Sequence, residues 1–266
     1  MTQHKARETV FELDNVTMKF GGLTAVDRLS FDIKDREVVG LIGPNGAGKT
    51  TVFNCATQFY KHYTGNIYFT RHDGTRIDLG DLKVTDVVVQ GVARTFQNVE
   101  LVPDLSVLDN VLIGAHTKFR TGVVSHMLKL PKARKEEVAI RRDAEEVLDF
   151  MNLSHLSHQF AGGQPYGIMK KIEIARALMA KPRLIILDEP AAGLNDQETD
   201  ELESIIYDIR DKYNTSVLLI EHDMGFVMDI CDRVIAINFG KLLAEDTPKN
   251  IQANPDVQEA YLGSET

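Results

Sequence analysis

Apolar and polar residues follow different patterns along the chain, and each pattern predicts a different kind of structure. In residues 10–33 they alternate, and Gly21 and Gly22 interrupt the alternation, so this part predicts antiparallel strands joined by a turn. Four later segments are continuously apolar and have the length of strands covered on both faces, namely 38–42, 184–187, 217–220 and 234–237. Because helical stretches separate several of these segments, we interpret them as a parallel sheet with crossover helices, which makes the fold class α/β.

Helical spacing of apolar residues dominates the middle of the chain. Residues 105–115, 136–151 and 166–180 each place their apolar side chains on one helical face. Near the end of the chain, Thr247-Pro248 and Asn254-Pro255 each combine a capping residue with a first-turn proline, which predicts two short helices.

These patterns predict a single domain over residues 8–263. Its β subdomain and core comprise 8–96 and 181–245, and the helical lobe comprises 97–180. A tail of short helices follows at 246–266. The lobe contains a basic insertion, residues 116–135, with Lys and Arg but no acidic residue. Such a run is either a solvated helix face or a surface for anionic lipid heads or a partner.

Composition narrows the class of protein. The 266 residues are 43% hydrophobic and 26% charged, as in ordinary globular proteins, and the net charge of −9 argues against a general nucleic-acid binder. No apolar run is long enough to span a membrane, and the first ten residues lack an apolar signal segment. Cys55 and Cys231 have no Cys/His cluster around them, so we expect reduced thiols in a cytosolic protein.

A glycine-rich stretch after the first apolar segment carries the clearest chemistry. It fits the phosphate-binding pattern G-x-x-x-x-G-K-[ST] and consists of Gly43, Pro44, Asn45, Gly46, Ala47, Gly48, Lys49 and Thr50. A strand precedes it and a helix that includes Thr51 follows, which is the context that the pattern requires. Successive backbone N–H groups and the helix N-terminus would surround a phosphate. Lys49 would reach the β- and γ-phosphates, and Thr50 would offer its hydroxyl to Mg²⁺.

Two later strand ends carry further candidate residues. Asp188 and Glu189 follow the apolar run 184–187, and His222 follows the run 217–220. The carboxyl ends of parallel strands meet at the edge of the sheet where ligands bind. Asp188 is therefore a candidate Mg²⁺ ligand, Glu189 can orient or deprotonate a water, and His222 can contact a γ-phosphate.

Phe20 stands at the end of a predicted strand, ahead of the glycine-rich stretch. Its ring could stack on adenine, or it could be an ordinary core phenylalanine. The residues alone leave both interpretations open.

Together these motifs resemble the ATPase subunits of ABC transporters. The glycine-rich stretch resembles the Walker A motif, and 184–189 resembles Walker B. Gln97 matches the Q-loop glutamine, 192–195 the D-loop and His222 the switch histidine. The resemblance covers about residues 13–240 and implies a P-loop NTPase (RecA-like) core with an N-terminal antiparallel β subdomain and an inserted helical lobe.

The resemblance also implies roles for single residues. ATP would be bound by the Walker A residues with Thr51, by Gln97 and by Phe20 stacked on adenine, and Mg²⁺ by Thr50, Gln97 and Asp188. Glu189, His222 and Lys49 would be catalytic. Asn195 ends the D-loop where the family has Asp.

Less general stretches resemble the LivG-type ATPase of branched-chain amino acid importers. These are 51–55, 93–98, the basic insertion, 188–195 and the tail. Such subunits work at the cytoplasmic face of the bacterial inner membrane as peripheral proteins. They pair with a second ABC ATPase, drive transmembrane permease subunits, and depend indirectly on a periplasmic substrate-binding protein; no nucleic acid is involved.

The family's signature, L-S-G-G-Q at a helix N-terminus, is displaced in this chain. Residues 160–164 contain Gly162-Gly163-Gln164 and are a near match. Counting back by the family's intervals from Asp188 and from Arg176 instead places the signature at 164–168. In that register Pro165 replaces Ser, Tyr166 replaces the first Gly, and Gly167 is the residue whose backbone meets the partner's phosphate.

Three other functions compete with the importer. A lipid or lipopolysaccharide exporter ATPase resembles this subfamily closely. A soluble ABC ATPase acting on ribosomes or DNA usually carries two cassettes or a long coiled coil, which this chain lacks. A non-hydrolysing module is disfavoured because Glu189 and His222 are both present. The residues do not identify the transported substrate.

Overall fold

The computed structural model describes residues 7–95, 99–118 and 131–262, with strands and helices as follows. The strands are β1 (Thr9–Phe20), β2 (Leu23–Lys34), β3 (Val38–Ile42), β4 (Thr64–Thr70), β5 (Arg76–Asp78), β6 (Val92–Arg94), β7 (Leu184–Asp188), β8 (Ser216–Ile220), β9 (Arg233–Asn238) and β10 (Lys241–Asp246). The helices are α1 (Lys49–Ala56), α2 (Val84–Gln90), α3 (Val107–Ile113), α4 (Pro131–Phe150), α5 (Tyr166–Leu178), α6 (Asp196–Lys212), α7 (Met224–Ile230), α8 (Pro248–Gln252) and α9 (Pro255–Leu262).

The first sheet has four strands in the order β2-β1-β4-β5, and its neighbouring strands are antiparallel. Strands β1 and β2 form the hairpin that the alternating pattern predicts. The short edge strand β5 lies in a stretch of turn-forming residues, where only three residues pair with β4, so no alternation could be read from the sequence.

The second sheet has six strands in the order β10-β9-β3-β8-β7-β6. Strands β9, β3, β8, β7 and β6 are parallel, and β10 returns antiparallel to β9. Every residue of β3, β7 and β8 is buried, as the continuously apolar runs predict. Since β3, β8 and β7 are neighbours, the glycine-rich stretch, Glu189 and His222 all follow adjacent strand ends.

The sheet is covered on both faces by separate apolar clusters. In β3, Val38 and Ile42 belong to the cluster that contains the lobe helices, α6 and α7. Val39 and Leu41 point the other way, into the cluster formed with the four-stranded sheet and α1. Strand β3 is therefore packed on both faces, and the glycine-rich loop starts from a strand that is held in place on each side.

The sequence prediction missed the first residues of one helix and the whole of another. Helix α4 begins at Pro131, five residues before the predicted start at 136, because proline suits the first turn and Ala133 packs into the core. Helix α2 was not predicted, since its run of three valines, 87–89, favours a strand. It ends at Gly91, which adopts the left-handed φ of 111° that glycine accommodates.

The predicted helices near the end of the chain are confirmed. Thr247 and Asn254 precede helices that start with proline, and Asn254 accepts hydrogen bonds from the N–H groups of Asp256 and Val257. Both cysteines are buried and unbridged, and burial raises the pKa of Cys55 to about 12. Within the described ranges, no helix has both the length and the apolar character needed to cross a bilayer.

Candidate functional site

The loop between β3 and α1 takes a conformation that its glycines make possible. Gly43 has φ of 156°, and a Cβ built there would lie 2.2 Å from the carbonyl oxygen of Ile237. Gly48 has φ of 104°, and its Cβ would lie 2.5 Å from the carbonyl oxygen of Ala25. Any side chain at either position would collide with fixed backbone, so glycine is required for the loop to curl back between β9 and β2. Helix α1 then begins at Lys49.

Lys49 is buried beneath this loop. Its ammonium donates to the carbonyl oxygens of Gly43 and Pro44, the latter at 3.2 Å. Burial lowers the pKa of Lys49, and the nearby carboxylates of Glu189 and Asp188 oppose that shift. The cation is therefore held between the loop backbone and the two acidic residues at the end of β7.

Glu189 and His222 are in direct contact. Nε2 of His222 lies 2.7 Å from Oε1 of Glu189. The backbone of Glu189 has φ of 48°, which is unusual for a residue other than glycine, and its N–H donates to the carbonyl of Ile220 at 3.0 Å. Buried Glu221 accepts hydrogen bonds from the N–H groups of Ala191 and His222, so it ties together the segments that carry this pair. Burial also raises the pKa of Glu221.

Asp188 forms a buried ion pair with Arg94. Nη2 of Arg94 lies 3.0 Å from Oδ2 of Asp188, and Nη1 donates to Oδ1 of Asn54 on α1 at 2.7 Å. The two charged side chains are 9% and 7% exposed. Burial raises the pKa of Asp188, and the Arg94 charge works against that rise. Arg94 thus joins the candidate metal ligand to the helix that follows the phosphate loop.

The phosphate loop, Glu189 and His222 line one cavity of about 230 Å³. The loop residues 45–51, Glu189, Ile220 and His222 form its walls. A larger cavity of about 640 Å³ lies on the other side of the loop, against α9 and Phe239. The smaller cavity contains the predicted chemistry, and its polar walls suit a phosphate more than an apolar ligand.

Phe20 lies at the exposed end of β1, with 42% of its surface accessible. Its ring packs edge-on against Tyr60, with the ring centroids 5.2 Å apart. An exposed ring at this position is compatible with stacking on a base. Gln97 and most of the basic insertion, 119–130, lie outside the described residues.

The shifted signature register places its residues at the start of α5. Pro165 is the N-cap and supplies no side-chain hydrogen bond, and Tyr166 opens the helix. Gly167 is buried, and a Cβ there would lie 2.4 Å from Oε1 of Glu198. Glu198 forms a capping box with Asn195, which explains chemically why Asn can end the D-loop here. The near match at 160–164 precedes the helix; within it, Gly163 has φ of 86°.

Sequence reasoning missed three residues around this site, namely Tyr60, Arg94 and Lys170. Each acts through a contact with a residue far away in the chain. The signals present were weak: Arg94 stands three positions before Gln97, and Lys170 is a charged residue on the apolar side of α5.

Comparisons with known proteins agree with this geometry. A family model described as "ABC transporter" matches residues 26–192, and one described as "Branched-chain amino acid ATP-binding cassette transporter" matches residues 241–266. The chain is 44% identical over 254 residues to the high-affinity branched-chain amino acid transport ATP-binding protein BraF of Pseudomonas aeruginosa, covering 96% of this chain and 98% of BraF. It is 41% identical over 256 residues to LivG of Escherichia coli, with the same coverage.

Solved structures also match nearly the whole chain. The ADP conformation of MJ1267, an ATP-binding cassette of an ABC transporter, superposes with a TM-score of 0.82 at 31% identity, covering 96% of this chain and 99% of MJ1267. A nucleotide-free cassette from an ABC transporter gives a TM-score of 0.81 at 30% identity. The chain therefore belongs to the ABC transporter family of ATP-binding, ATP-hydrolysing cassettes, in the group that contains BraF and LivG.

Proposed function

We propose that this chain is the ATP-hydrolysing subunit of an importer of branched-chain amino acids, and that ATP drives two such subunits together. The observation that carries the hydrolytic part is the contact between Glu189 and His222 beside the phosphate loop. The substrate part is supported by relatives named for branched-chain amino acid transport, which match over 96% of the chain. The match of residues 241–266 to a family model of the same description supports it independently.

Hydrolysis follows from the charges in the cavity. Lys49 offers a cation to the β- and γ-phosphates, and the N–H groups of the loop surround them. Glu189 accepts a proton from the attacking water or orients it, and His222 holds the carboxylate through Nε2. Because both side chains leave adjacent strand ends, the base and the histidine stay aligned by the sheet itself.

The oxygen donors present fit Mg²⁺, which prefers carboxylate and hydroxyl oxygens. Thr50 and Asp188 would hold it, together with Gln97 from the undescribed segment. Arg94 donates to Oδ2 of Asp188 at 3.0 Å, so the guanidinium and the metal would share this carboxylate. When bound, Mg²⁺ neutralises charge on the β- and γ-phosphates.

Dimerisation would bring the start of α5 against the nucleotide of a second ATPase subunit. Pro165 has no side-chain group that could bind the phosphate. The N–H groups of Tyr166 and Gly167 and the positive end of the helix dipole would bind it instead. The second subunit is another copy or a related cassette. Permease subunits and a periplasmic binding protein would complete the transporter, with this chain peripheral at the cytoplasmic face of the bacterial inner membrane.

The test is reconstitution of the chain in vesicles with the permease subunits and the periplasmic binding protein of an importer of this class. ATPase activity should rise when the binding protein is loaded with leucine, isoleucine or valine, and labelled amino acid should accumulate in the vesicles. The Lys49→Ala variant in the same vesicles is the control for transport without ATP. Stimulation by lipid or lipopolysaccharide in place of amino acid would contradict the importer and favour an exporter.

A further inference from the structure

A buried lysine connects the signature helix with the main chain of the catalytic glutamate. Lys170 lies on α5, one turn after Tyr166, and only 4% of its surface is exposed. Its Nζ donates to the carbonyl oxygen of Glu189 at 3.0 Å and lies 5.7 Å from the centre of the Tyr166 ring. Burying a charged amine costs free energy, so the burial of Lys170 requires specific partners that offset this cost.

The contact falls on a backbone whose orientation determines where the Glu189 side chain points. Glu189 has the left-handed φ of 48°, and its N–H is held by Ile220 at the end of β8. Lys170 holds the other end of the residue, the carbonyl, at 3.0 Å, and the N–H of Ala192 donates to the same oxygen at 3.3 Å. One end is thus fixed to the sheet and the other to the helical lobe, so a shift of α5 changes the direction of the carboxylate.

The start of α5 also lies close against the chain that follows Glu189, with no room for a larger residue at two glycines. A Cβ at Gly193 would lie 3.1 Å from Cε1 of Tyr166, and a Cβ at Gly167 would lie 2.4 Å from Oε1 of Glu198. Tyr166 and Gly167 are the residues that the shifted register directs to the partner's phosphate. The same helix start therefore contacts the chain's own D-loop and, through Lys170, its own Glu189.

We infer that Lys170 is a positioning residue, which makes the orientation of Glu189 depend on the position of α5 relative to the sheet. In the dimer, ATP bound by the partner subunit fixes the position of α5. Through its hydrogen bond, Lys170 then fixes the backbone of the Glu189 that acts on the chain's own ATP. Hydrolysis at one site is thereby coupled to occupancy of the other. This inference rests on the proposed function, since it requires two ATP molecules at a dimer interface.

The test compares Lys170→Met with Lys171→Met. Methionine preserves length and volume but removes the charge and the donor. Lys171 is the matched control because it is the neighbouring lysine on α5, is also mostly buried, and pairs with Glu201 on α6 in place of Glu189. Lys170→Arg keeps a charged donor and tests for rescue. Thermal melting of all three variants establishes that they are folded.

Lys170→Met should lower kcat about tenfold or more, with KM for ATP within about twofold of wild type. ATP-driven dimerisation, measured by mass in the Glu189→Gln background, should also be unchanged. Lys171→Met should retain kcat, and Lys170→Arg should turn over faster than Lys170→Met. An unchanged kcat in Lys170→Met, an equal loss in Lys171→Met, or loss of the ATP-driven dimer would overturn the inference. Failure of the proposed function would appear separately, as turnover that survives Glu189→Gln.

Discussion

Nε2 of His222 lies 2.7 Å from Oε1 of Glu189, although the two residues are separated by 33 positions in the chain. They meet because Asp188 and Ile220 pair in register at the ends of β7 and β8, and each of the two candidate residues follows within two positions of that pair. The contact places a carboxylate and an imidazole together at the wall of the cavity that the phosphate loop forms. The residues proposed as base and orienting partner thus follow neighbouring strand ends.

Replacing Glu189 with Gln should abolish turnover and preserve ATP binding. The amide keeps the shape of the side chain but neither accepts a proton nor carries a negative charge beside the water, and loss of a general base costs about 100-fold or more. ATP should then hold two subunits together, which sizing with ATP would detect as a doubled mass. Turnover at the wild-type rate would refute the role given to Glu189.

Replacing His222 with Ala should lower kcat and leave ATP affinity nearly unchanged. The imidazole contacts Oε1 of Glu189, and without it the carboxylate loses this orienting partner. We expect a loss of about tenfold or more in kcat, measured by phosphate release at saturating ATP. Tyr207→Phe, which removes a hydroxyl bonded to the carbonyl of Asp229 away from the cavity, is the control. A loss confined to KM would show that His222 contributes binding alone.

Replacing Lys49 with Ala should weaken nucleotide binding itself. The variant removes the cation that faces the β- and γ-phosphates, which is worth about 2 kcal/mol, or roughly 30-fold in affinity. Titration with a fluorescent ATP analogue measures the effect. Lys83→Ala, at the exposed position before α2 and outside the phosphate loop, is a control for the loss of one positive charge. Unchanged affinity in Lys49→Ala would be incompatible with the phosphate-loop assignment.

Replacing Arg94 with Met should lower stability and reduce the Mg²⁺ concentration that nucleotide binding requires. Asp188 would keep a buried charge without its guanidinium partner, which costs about 3 kcal/mol when one member of a buried pair is removed. The melting temperature should fall, and less Mg²⁺ should be needed for half-maximal tightening of nucleotide binding, because the unpaired carboxylate attracts a cation more strongly. Arg76→Met removes an exposed ion pair with Glu12 and should change neither quantity. An Arg94→Met variant with wild-type stability would show that the pair is not maintained in solution.

Replacing Gly167 with Val should nearly abolish ATPase activity, and Gly163→Val should be milder. The shifted register puts the Gly167 backbone at the partner's phosphate, whereas Gly163 lies in the loop before α5. A side chain at Gly163 has open space and meets only the strain of φ at 86°. Assays at saturating ATP would rank the two, and the reverse ranking would reject the register.

The structure adds a control to this comparison. A side chain at Gly167 also collides with Glu198 and would disturb the capping box with Asn195. Glu198→Ala breaks the same box without filling the space, at a cost of about 1 kcal/mol in stability, and should retain activity. If the double variant Gly167→Val, Glu198→Ala recovered full activity, steric blocking of the phosphate would not be the cause.

The sequence by itself determined the parts of the protein that depend on neighbouring residues. The phosphate loop is contiguous, and its strand and helix flanks are read from local apolar patterns. Glu189 and His222 were predicted because each follows a continuously apolar run, and runs of that kind become interior strands of a parallel sheet. The two short helices near the end were predicted because a cap followed by proline is a local signal.

Only the tertiary structure decided which of these residues touch and what holds them. Arg94 meets Asp188, Lys170 meets the carbonyl of Glu189, and Gly167 faces Glu198. These contacts depend on strand order and on how α5 packs against the sheet. Neither of these produces a periodic pattern in the sequence. Residues far apart in sequence are brought together by burial of the two apolar clusters, whose driving force is non-directional, so the local sequence does not specify the partners.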